Sequence, residues 1–157
     1  MSIDGRHLRD ALGRFATGVC VITTGDEGAP VAMTVNSFAS VSLDPPLILW
    51  SLQNNSDLYQ RFSTPRHFAV NVLAKEQQDL ANRYAKKGDH GLQQEHYRVG
   101  KYGSPIIRNA LTTLECELEA TYAGGDHQII MGRVRDMHTR PTGTPLLFFS
   151  GAYRELH

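Results

Sequence analysis

The chain has 157 residues, which is near the usual size of one domain and long enough to bury a hydrophobic core without metals or disulfides. Its 16 Lys and Arg residues balance its 16 Asp and Glu residues, so no basic excess would draw it to nucleic acid or to an anionic membrane. We therefore expect one domain over residues 1–157, with small molecules or other proteins as its partners.

The N-terminal residues predict a short amphipathic helix. Apolar residues recur there at helical spacing, at Leu8, Leu12 and Phe15. The helix is predicted over about residues 5–17, because Asp4 can cap its start and Gly18 can end it.

Apolar runs bounded by turn residues predict the strands. In chain order these runs cover residues 19–24, 31–38, 47–53, 67–73, 114–122, 127–138 and 146–153. Residues 41–43 can continue the second strand. Two helices are predicted between strands, one capped by Ser56 and running through Phe62, and one over residues 75–86. The stretch 87–109 has little periodicity and several glycines, so we expect a long irregular surface segment.

The clearest periodicity lies in the strand at 114–122, where apolar and polar residues alternate. The expected core face consists of Leu114, Cys116, Leu118, Ala120 and Tyr122, and the expected solvent face of Glu115, Glu117, Glu119 and Thr121. In the next strand, Gly132 indicates a bulge or a close backbone approach. Strands in hairpin order with few short helices predict a mainly β fold, a closed or nearly closed antiparallel barrel.

The two cysteines, Cys20 and Cys116, lie inside apolar runs and lack the spacing of a metal site or of a disulfide framework. The charged N-terminus does not resemble a signal peptide. No apolar stretch approaches the roughly 18 residues that a membrane helix needs. We therefore expect a cytoplasmic protein with buried thiols, no metal and no membrane association.

The sequence lacks the motifs of several common active sites. It contains neither the GxGxxG nor the GxxxxGK[ST] phosphate loop, and HExxH, CxxC and GxSxG are absent. The stretch from Thr34 to Ser42 is instead rich in small hydroxyl and amide side chains. At a strand end, hydroxyls and free backbone amides can bind phosphate or the polar edge of a flat ring, although such a stretch is also typical of a solvated edge.

Six segments resemble the short-chain flavin reductases in order and approximate spacing. They are TGVCVIT, AMTVNSFASVSLDPPLILWSL, FAVNVLA followed by a helix, GSPII, GDHQIIMGRV and PLLFFSGAY. The resemblance covers about residues 8–154. It implies a split β-barrel with Greek-key topology and a homodimer. It further implies hydride transfer from NADH or NADPH to FMN or FAD, with the reduced flavin leaving for a separate monooxygenase that acts on phenols or related aromatics.

The resemblance also implies a set of flavin-binding residues. The wall for the flavin ring and ribityl chain would comprise Thr34, Val35, Asn36, Ser37, Ala39 and Ser40. The phosphate would lie at the loop formed by Ser51, Leu52, Gln53, Asn54, Asn55 and Ser56, with help from the helix that contains Arg83. A helix that starts at Ser56 would also suit an anion, since its first amides are unpaired. The loop itself has no Lys or Arg, so the choice between FMN and FAD stays open.

Gly125, Asp126 and His127 match the family's GDH motif, in which the histidine lies beside the nicotinamide. Hydride transfer requires stacking and a short donor–acceptor distance more than a strong acid or base. We therefore expect His127 to position the nicotinamide and to donate a proton. Tyr153 and Phe149 are candidates for the nicotinamide side, with Arg14 and Phe15 as weaker ones. Trp50 and the two cysteines are expected to be structural.

Three other functions remain open at this point. A split-barrel protein of the pyridoxamine-phosphate oxidase type would keep its flavin as a prosthetic group and would purify yellow. A flavin carrier or sensor would bind flavin without consuming NADH. A related reductase would pass electrons through the flavin to another acceptor, such as a corrinoid.

Overall fold

The computed structural model describes residues 2–157. Its α-helices are α1 (Gly5–Leu12), α2 (Tyr59–Ser63) and α3 (Gln78–Ala85). Its strands are β1 (Thr17–Gly18), β2 (Cys20–Thr24), β3 (Val31–Val35), β4 (Ala39–Leu43), β5 (Pro46–Gln53), β6 (His67–Val72), β7 (Tyr97–Val99), β8 (Pro105–Ile107), β9 (Thr112–Gly124), β10 (His127–Thr139), β11 (Leu147–Phe149) and β12 (Ala152–Arg154). Single 3-10 turns cover Lys75–Gln77 and Gln94–His96.

Seven strands form one antiparallel sheet in the order β3-β2-β6-β9-β10-β5-β4. The two edge strands, β3 and β4, are consecutive in the chain and only residues 36–38 separate them. A link of this length spans at most about 14 Å, so the edges lie close together and the sheet is rolled up. The predicted mainly β, antiparallel fold is confirmed. Residues 31–43, predicted as one extended strand, instead leave one edge of the sheet and join the other.

Strand β2 is buried on both faces because it lies between two hydrophobic clusters. Cys20 and Ile22 pack into the first cluster, around Trp50, Phe62 and Phe68 inside the rolled sheet. The alternate residues Val19 and Val21 pack into the second cluster outside it, which includes Leu73, Ala81, Tyr84, Leu92, Ile107 and Leu146. Successive side chains of a strand point to opposite faces, which explains why the run from Val19 to Ile22 is apolar throughout.

The expected irregular surface segment at 87–109 is wrong in part. It contains the antiparallel pair β7 and β8, and its residues Leu92, Ile106 and Ile107 are buried. The buried amide of Asn71 binds this segment, because its Oδ1 accepts the Ile107 amide at 2.9 Å while its Nδ2 donates to Val21 O at 2.9 Å. The buried Asn71 side chain therefore helps to hold this segment against the sheet, although the sequence of the segment has little periodicity.

Both chain ends differ from the prediction. Helix α1 is capped by Asp4 as predicted but ends at Gly13, and none of its residues is buried. The strand predicted over 146–153 is a hairpin, β11 and β12, whose turn contains Ser150 and Gly151 at positive φ. The hairpin pairs with β1 in a separate three-stranded sheet.

The strand β9 departs from the predicted alternation at Tyr122, which was expected on the core face but is 51% exposed, and at Glu115. The Glu115 carboxylate is buried and accepts the Tyr102 amide at 3.0 Å, so its expected solvent exposure is wrong.

The prediction for Gly132 is confirmed on both counts. The β9–β10 register shifts beside it, and a Cβ at Gly132 would lie 2.6 Å from Phe68 Cζ.

The thiols of Cys20 and Cys116 are buried and unpaired, as predicted, and burial raises the pKa of each to about 12. Across residues 2–157, no helix has the length and apolar character to cross a membrane. The same residues contain no cluster of His, Cys, Asp and Glu suited to a metal ion.

Candidate active site

A cleft of about 440 Å³, here called the central cleft, opens where β3 ends and the chain crosses to β4. Its residues come from β3, the link 36–38, the end of β5, the loop after β5, the end of α3 and the turn that follows it, and the start of β10. They are Met33, Thr34, Val35, Asn36, Ser37, Ser51, Gln53, Asn55, Ser56, Asp57, Ala85, Lys87, His90 and His127. The volume lies within the range of about 300–1,000 Å³ that is typical of small-molecule sites.

Two of the predicted hydroxyls in the cleft are already paired within the protein. Thr34 Oγ1 donates to Ala81 O at 2.7 Å, which ties β3 to α3. Ser37 Oγ accepts the Ser51 amide at 2.9 Å, which ties the crossing residues to β5. These side chains therefore shape the wall of the cleft, and the exposed amide of Asn36 beside them is available to a ligand.

The loop after β5 is fastened to the β9–β10 turn. The Asn54 amide donates to Asp126 O at 2.9 Å, and Asn54 Nδ2 donates to Gly125 O at 3.1 Å. Asn54 is thus a structural link and not a lining residue, and Leu52 is fully buried in the first cluster. Ser56 Oγ accepts the Leu58 amide, but α2 begins only at Tyr59.

The predicted helix start at Ser56 is therefore wrong, because Ser56 lies in a turn that precedes a helix of only five residues. A cation comes instead from outside the predicted loop. Lys87, in the turn after α3, lines the cleft. Arg83, which was expected to help, does not line it. Its guanidinium binds Asp89, at 3.2 Å to Oδ2 and at 2.7 Å to the backbone oxygen, and so holds the turn that presents Lys87.

His127 lines the cleft from the first position of β10, where it lies opposite Gln53 of β5. Its Nδ1 lies 2.7 Å from Asp126 Oδ1. The hydrogen bond to His127 lowers the pKa of Asp126, so this carboxylate is ionised near neutral pH and can only accept. Nδ1 must then carry the hydrogen, which leaves Nε2 as the ring nitrogen free to meet a ligand.

A second groove, the N-terminal groove, joins the central cleft at Asn36, Gln53 and His127. Its other wall consists of α1, the residues that follow α1, and the β11–β12 turn. The helix end is held there because Ser150 N donates to Gly13 O at 2.8 Å and Arg14 Nη1 donates to Ser150 Oγ at 3.1 Å. Arg14 and Phe15, named from the sequence, both line this groove.

A smaller apolar pocket of about 200 Å³ shares Thr34, Val35 and Asn36 with the central cleft. It contains Tyr153, as expected for the aromatic C-terminal strand, and burial raises the pKa of the Tyr153 phenol. The second aromatic residue in it is Phe148, whose ring centroid lies 5.4 Å from that of Tyr153. Phe149, the residue expected from the sequence, is stacked under the Arg14 guanidinium instead, at 4.8 Å.

The structure thus brings most of the predicted binding residues to one cleft. The predicted lining residues are Thr34, Val35, Asn36, Ser37, Ser51, Gln53, Asn55, Ser56 and His127. The predicted residues that do not line it are Ala39, Ser40, Leu52, Asn54, Arg83, Gly125, Asp126 and Tyr153. Sequence reasoning missed Met33, Asp57, Ala85, Lys87 and His90. The last two lie in the segment read as irregular surface, where no periodicity marks an inward-facing side chain.

Comparison with known proteins relates this fold and cleft to one family. Residues 12–157 match the flavin reductase like domain. The chain is 42% identical to the FMN reductase (NADH) SmoA of Agrobacterium fabrum over 150 residues, which cover 96% of this chain and 85% of the relative. It is 41% identical to the reductase component of the flavin-dependent trigonelline monooxygenase of Acinetobacter baylyi, covering 94% of this chain but only 48% of that longer relative.

The solved structures agree with the sequence relatives. The NADH:FAD oxidoreductase SgcE6 of Streptomyces globisporus, in complex with NAD and FAD fragments, superposes with a TM-score of 0.92 at 35% identity. The alignment covers 100% of this chain and 97% of that one. With nearly the full length matched by the family and by relatives above 40% identity, the resemblance read from the sequence is confirmed, and this chain belongs to the flavin reductase like domain family.

Proposed function

We propose that this protein is an NADH-dependent flavin reductase that transfers a hydride to FMN or FAD and supplies the reduced flavin to a separate monooxygenase. The observation that carries the proposal is the junction of two grooves at His127, one suited to each ligand. The names of its relatives, an FMN reductase using NADH and a monooxygenase reductase component, support the same reaction.

The chemistry of the central cleft fits a flavin. Met33 and Val35 offer apolar surface to a flat ring system, and the exposed Asn36 offers an amide to its polar edge. Asn55 and Lys87 supply polar and cationic groups for a phosphate. We therefore assign the ring to the β3 side of the cleft and the phosphate tail to the side formed by the loop after β5 and the Lys87 turn.

A bound flavin supplies a ring that accepts a hydride from a reduced nicotinamide. The protein's part is to place the two ligands in contact, since correct orientation is the main requirement of such a transfer. The N-terminal groove meets the central cleft at Asn36, Gln53 and His127, so these side chains lie where the two ligands would touch. We assign the nicotinamide nucleotide to the N-terminal groove.

His127 positions the nicotinamide through its Nε2. Asp126 fixes the ring, because the 2.7 Å hydrogen bond to Nδ1 selects the tautomer and limits rotation about the side chain. When the imidazole is protonated, Nε2 carries a hydrogen and can donate it to a ligand atom in the junction. Asp126 itself is 94% exposed and also lines the N-terminal groove.

The limited charge of the cleft favours release of the flavin over permanent retention. Lys87 is the single Lys or Arg among the described residues that line it, and Asp57 lies on the same cleft. Together these two side chains give the cleft no net positive charge, which makes it a weak anchor for a dianionic phosphate. A reductase that serves a separate oxygenase must release its reduced flavin, and the low charge of this cleft is consistent with release.

The buried, unpaired thiols of Cys20 and Cys116 support a reducing compartment, the cytoplasm.

We infer that two copies pair through the outer surface around β4. This edge strand is largely exposed, with Leu43 97% and Val41 44% exposed. Large apolar side chains on an edge strand are a typical feature of interaction surfaces. Leu43→Lys should convert the dimer to a monomer in sedimentation analysis, whereas Lys101→Leu on another surface should not. A wild-type protein that sediments as a monomer would exclude this pairing.

The proposed reaction is tested by NADH oxidation with purified protein, followed by absorbance, with FMN, FAD or no flavin added, and with NADPH in parallel. Turnover that requires added flavin and saturates with it supports a reductase that releases its product. A yellow protein that turns over without added flavin indicates a retained prosthetic group. Flavin binding without NADH oxidation indicates a carrier and contradicts the proposal.

A further inference from the structure

A separate concave surface, here called the arginine pocket, includes Arg98, Arg108 and Arg140 among its lining residues. It encloses about 390 Å³ between the β7–β8 pair, residues 108–110, the start of β9 and the end of β10. It shares no lining residue with the central cleft, the N-terminal groove or the apolar pocket. Neither ligand of the proposed reaction is assigned to it.

The arginine pocket differs in charge from the other cavities. In the central cleft the charges of Lys87 and Asp57 cancel, and in the N-terminal groove two arginines are matched by two aspartates. The described residues that line the arginine pocket include three arginines and no Asp or Glu. In a chain with 16 basic and 16 acidic side chains, this is a local excess of positive charge that attracts anions.

The strand register places Arg98 and Arg108 on the same face. Arg98 of β7 pairs with Ile106 of β8. The hydrogen bond from Arg108 N to His96 O, at 2.9 Å, continues this antiparallel ladder by one pair. Arg98 and Arg108 are therefore diagonal neighbours, and the Cα atoms of such neighbours lie about 7–8 Å apart. Two arginine side chains can span this distance and contact the same ligand group.

Both of these guanidiniums are free of internal partners. The two side chains are exposed, and neither takes part in an ion pair within residues 2–157. The arginines that do so there are Arg83, Arg133, Arg135 and Arg140. Two like charges held side by side repel each other, so the Arg98 and Arg108 pair does not stabilise the fold unless an anion lies between them.

Arg140 shapes the opposite wall of the pocket. Its Nη1 donates to Glu76 Oε1 at 3.0 Å and to Asn109 O at 2.7 Å. The second contact holds Asn109 at a φ of 65°, in the left-handed region that residues other than glycine rarely adopt. The exposed Asn109 side chain lines the pocket, so its amide offers a neutral donor near the two free guanidiniums.

We propose that the arginine pocket binds a phosphate group, free or carried by a small molecule, between Arg98 and Arg108. A guanidinium binds phosphate and carboxylate oxygens alike, but a single arginine already satisfies one carboxylate. A phosphate group offers three acceptor oxygens and can accept from both arginines at once. The volume of about 390 Å³ lies within the range of small-molecule sites and leaves room for an organic part beside the phosphate.

The site is tested by two-dimensional proton–nitrogen NMR titration of the isotope-labelled chain, without flavin or NADH and at constant ionic strength. The probes are inorganic phosphate, glucose 6-phosphate, uncharged glucose, and glucuronate, which has a carboxylate at the same carbon. We expect both phosphate probes to shift the amide signals of Arg98, Arg108 and Asn109 with a Kd of about 0.1–1 mM. Glucose should cause no shift, and glucuronate should bind at least about fivefold more weakly than glucose 6-phosphate.

Substitution locates the contact. Arg98→Gln and Arg108→Gln should each raise the Kd for glucose 6-phosphate about tenfold, because each removes a charged donor. Arg66→Gln is the matched control, since Arg66 is exposed and lines none of the four cavities. The rest of each spectrum verifies the fold. Should Arg98→Gln fail to fold, Arg98→Lys, which keeps the charge but not the planar fork, should show a smaller loss.

Three results would overturn the assignment: no shift at Arg98 and Arg108 with either phosphate probe, a Kd that the glutamine variants leave unchanged, or glucuronate that binds as tightly as glucose 6-phosphate. Tighter binding of glucose 6-phosphate than of inorganic phosphate identifies an organic phosphate as the ligand, and equal binding identifies free phosphate. The titration needs neither flavin nor NADH, so its outcome is independent of the proposed function.

Discussion

Two groups of polar side chains in this molecule use similar residue types for opposite purposes. The first is the buried network around Asn71, in which Thr23 and Thr113 also take part. The second is the central cleft, lined by Asn, Ser and Thr side chains of the strand ends and loops. In the network, protein atoms satisfy the hydrogen-bonding groups of Asn71 from both sides. In the cleft, some groups are paired internally and others are left open.

The difference shows what turns a polar cluster into a binding site. A buried amide whose partners are all internal contributes to stability and to the placement of neighbouring segments. An exposed amide or amine at a concave surface exchanges water for a ligand. Substitution in the network should therefore change the free energy of unfolding, and substitution of open groups in the cleft should change binding or turnover with little effect on stability.

The largest effect is expected from Asn71→Leu. The leucine leaves the Ile107 amide and Val21 carbonyl without their side-chain partner in a buried position, and each such loss costs about 1–3 kcal/mol. We expect the free energy of unfolding to fall by about 3 kcal/mol, measured by urea denaturation. The matched control Asn82→Leu, on the exposed side of α3, should stay within about 0.5 kcal/mol of wild type. A similar small change at Asn71 would remove the network as a source of stability.

His127→Ala should have the next largest effect, and on turnover only. Loss of the positioned Nε2 is expected to lower kcat/KM for NADH about 10- to 100-fold while the Kd for FMN changes less than about twofold. His138→Ala is the control, because this exposed residue lies at the far end of the same strand. Stopped-flow measurement of hydride transfer checks the step directly, and an unchanged rate constant would contradict the role assigned to His127.

Lys87→Gln should weaken binding rather than turnover at saturation. The neutral amide keeps much of the side chain's length but loses its charge, so the Kd for FMN should rise about five- to tenfold. Riboflavin should bind as before, since it has no phosphate. The neighbouring Lys86→Gln is the control because Lys86 does not line the cleft. Equal losses in both variants would indicate a general electrostatic effect and not a phosphate contact.

Periodicity and turn residues were sufficient to predict the strands of the rolled sheet and the breaks between most of them. Glu115 and the pair β7 and β8 were misread, because a buried carboxylate and a short strand held by Asn71 both depend on tertiary partners. The family motifs located the cleft at Thr34–Ser37 and at His127. They could not reveal Lys87, whose place in the cleft depends on a turn held by an ion pair elsewhere in the segment.

The smallest effect that we predict concerns a residue that lines the cleft although its hydroxyl is paired within the protein. Ser37 lines the cleft, but its hydroxyl is paired with the Ser51 amide, whereas Ser40 is exposed on β4 and lines no part of the cleft. Ser37→Ala should let the crossing residues shift away from β5 and raise the Kd for FMN about threefold, while Ser40→Ala should leave it unchanged. Isothermal titration of both variants checks the pair. If both substitutions raised the Kd for FMN equally, both hydroxyls would contact the ligand, as the sequence alone suggested. The hydrogen bond between the Ser51 amide and Ser37 Oγ would then have to break when the ligand binds.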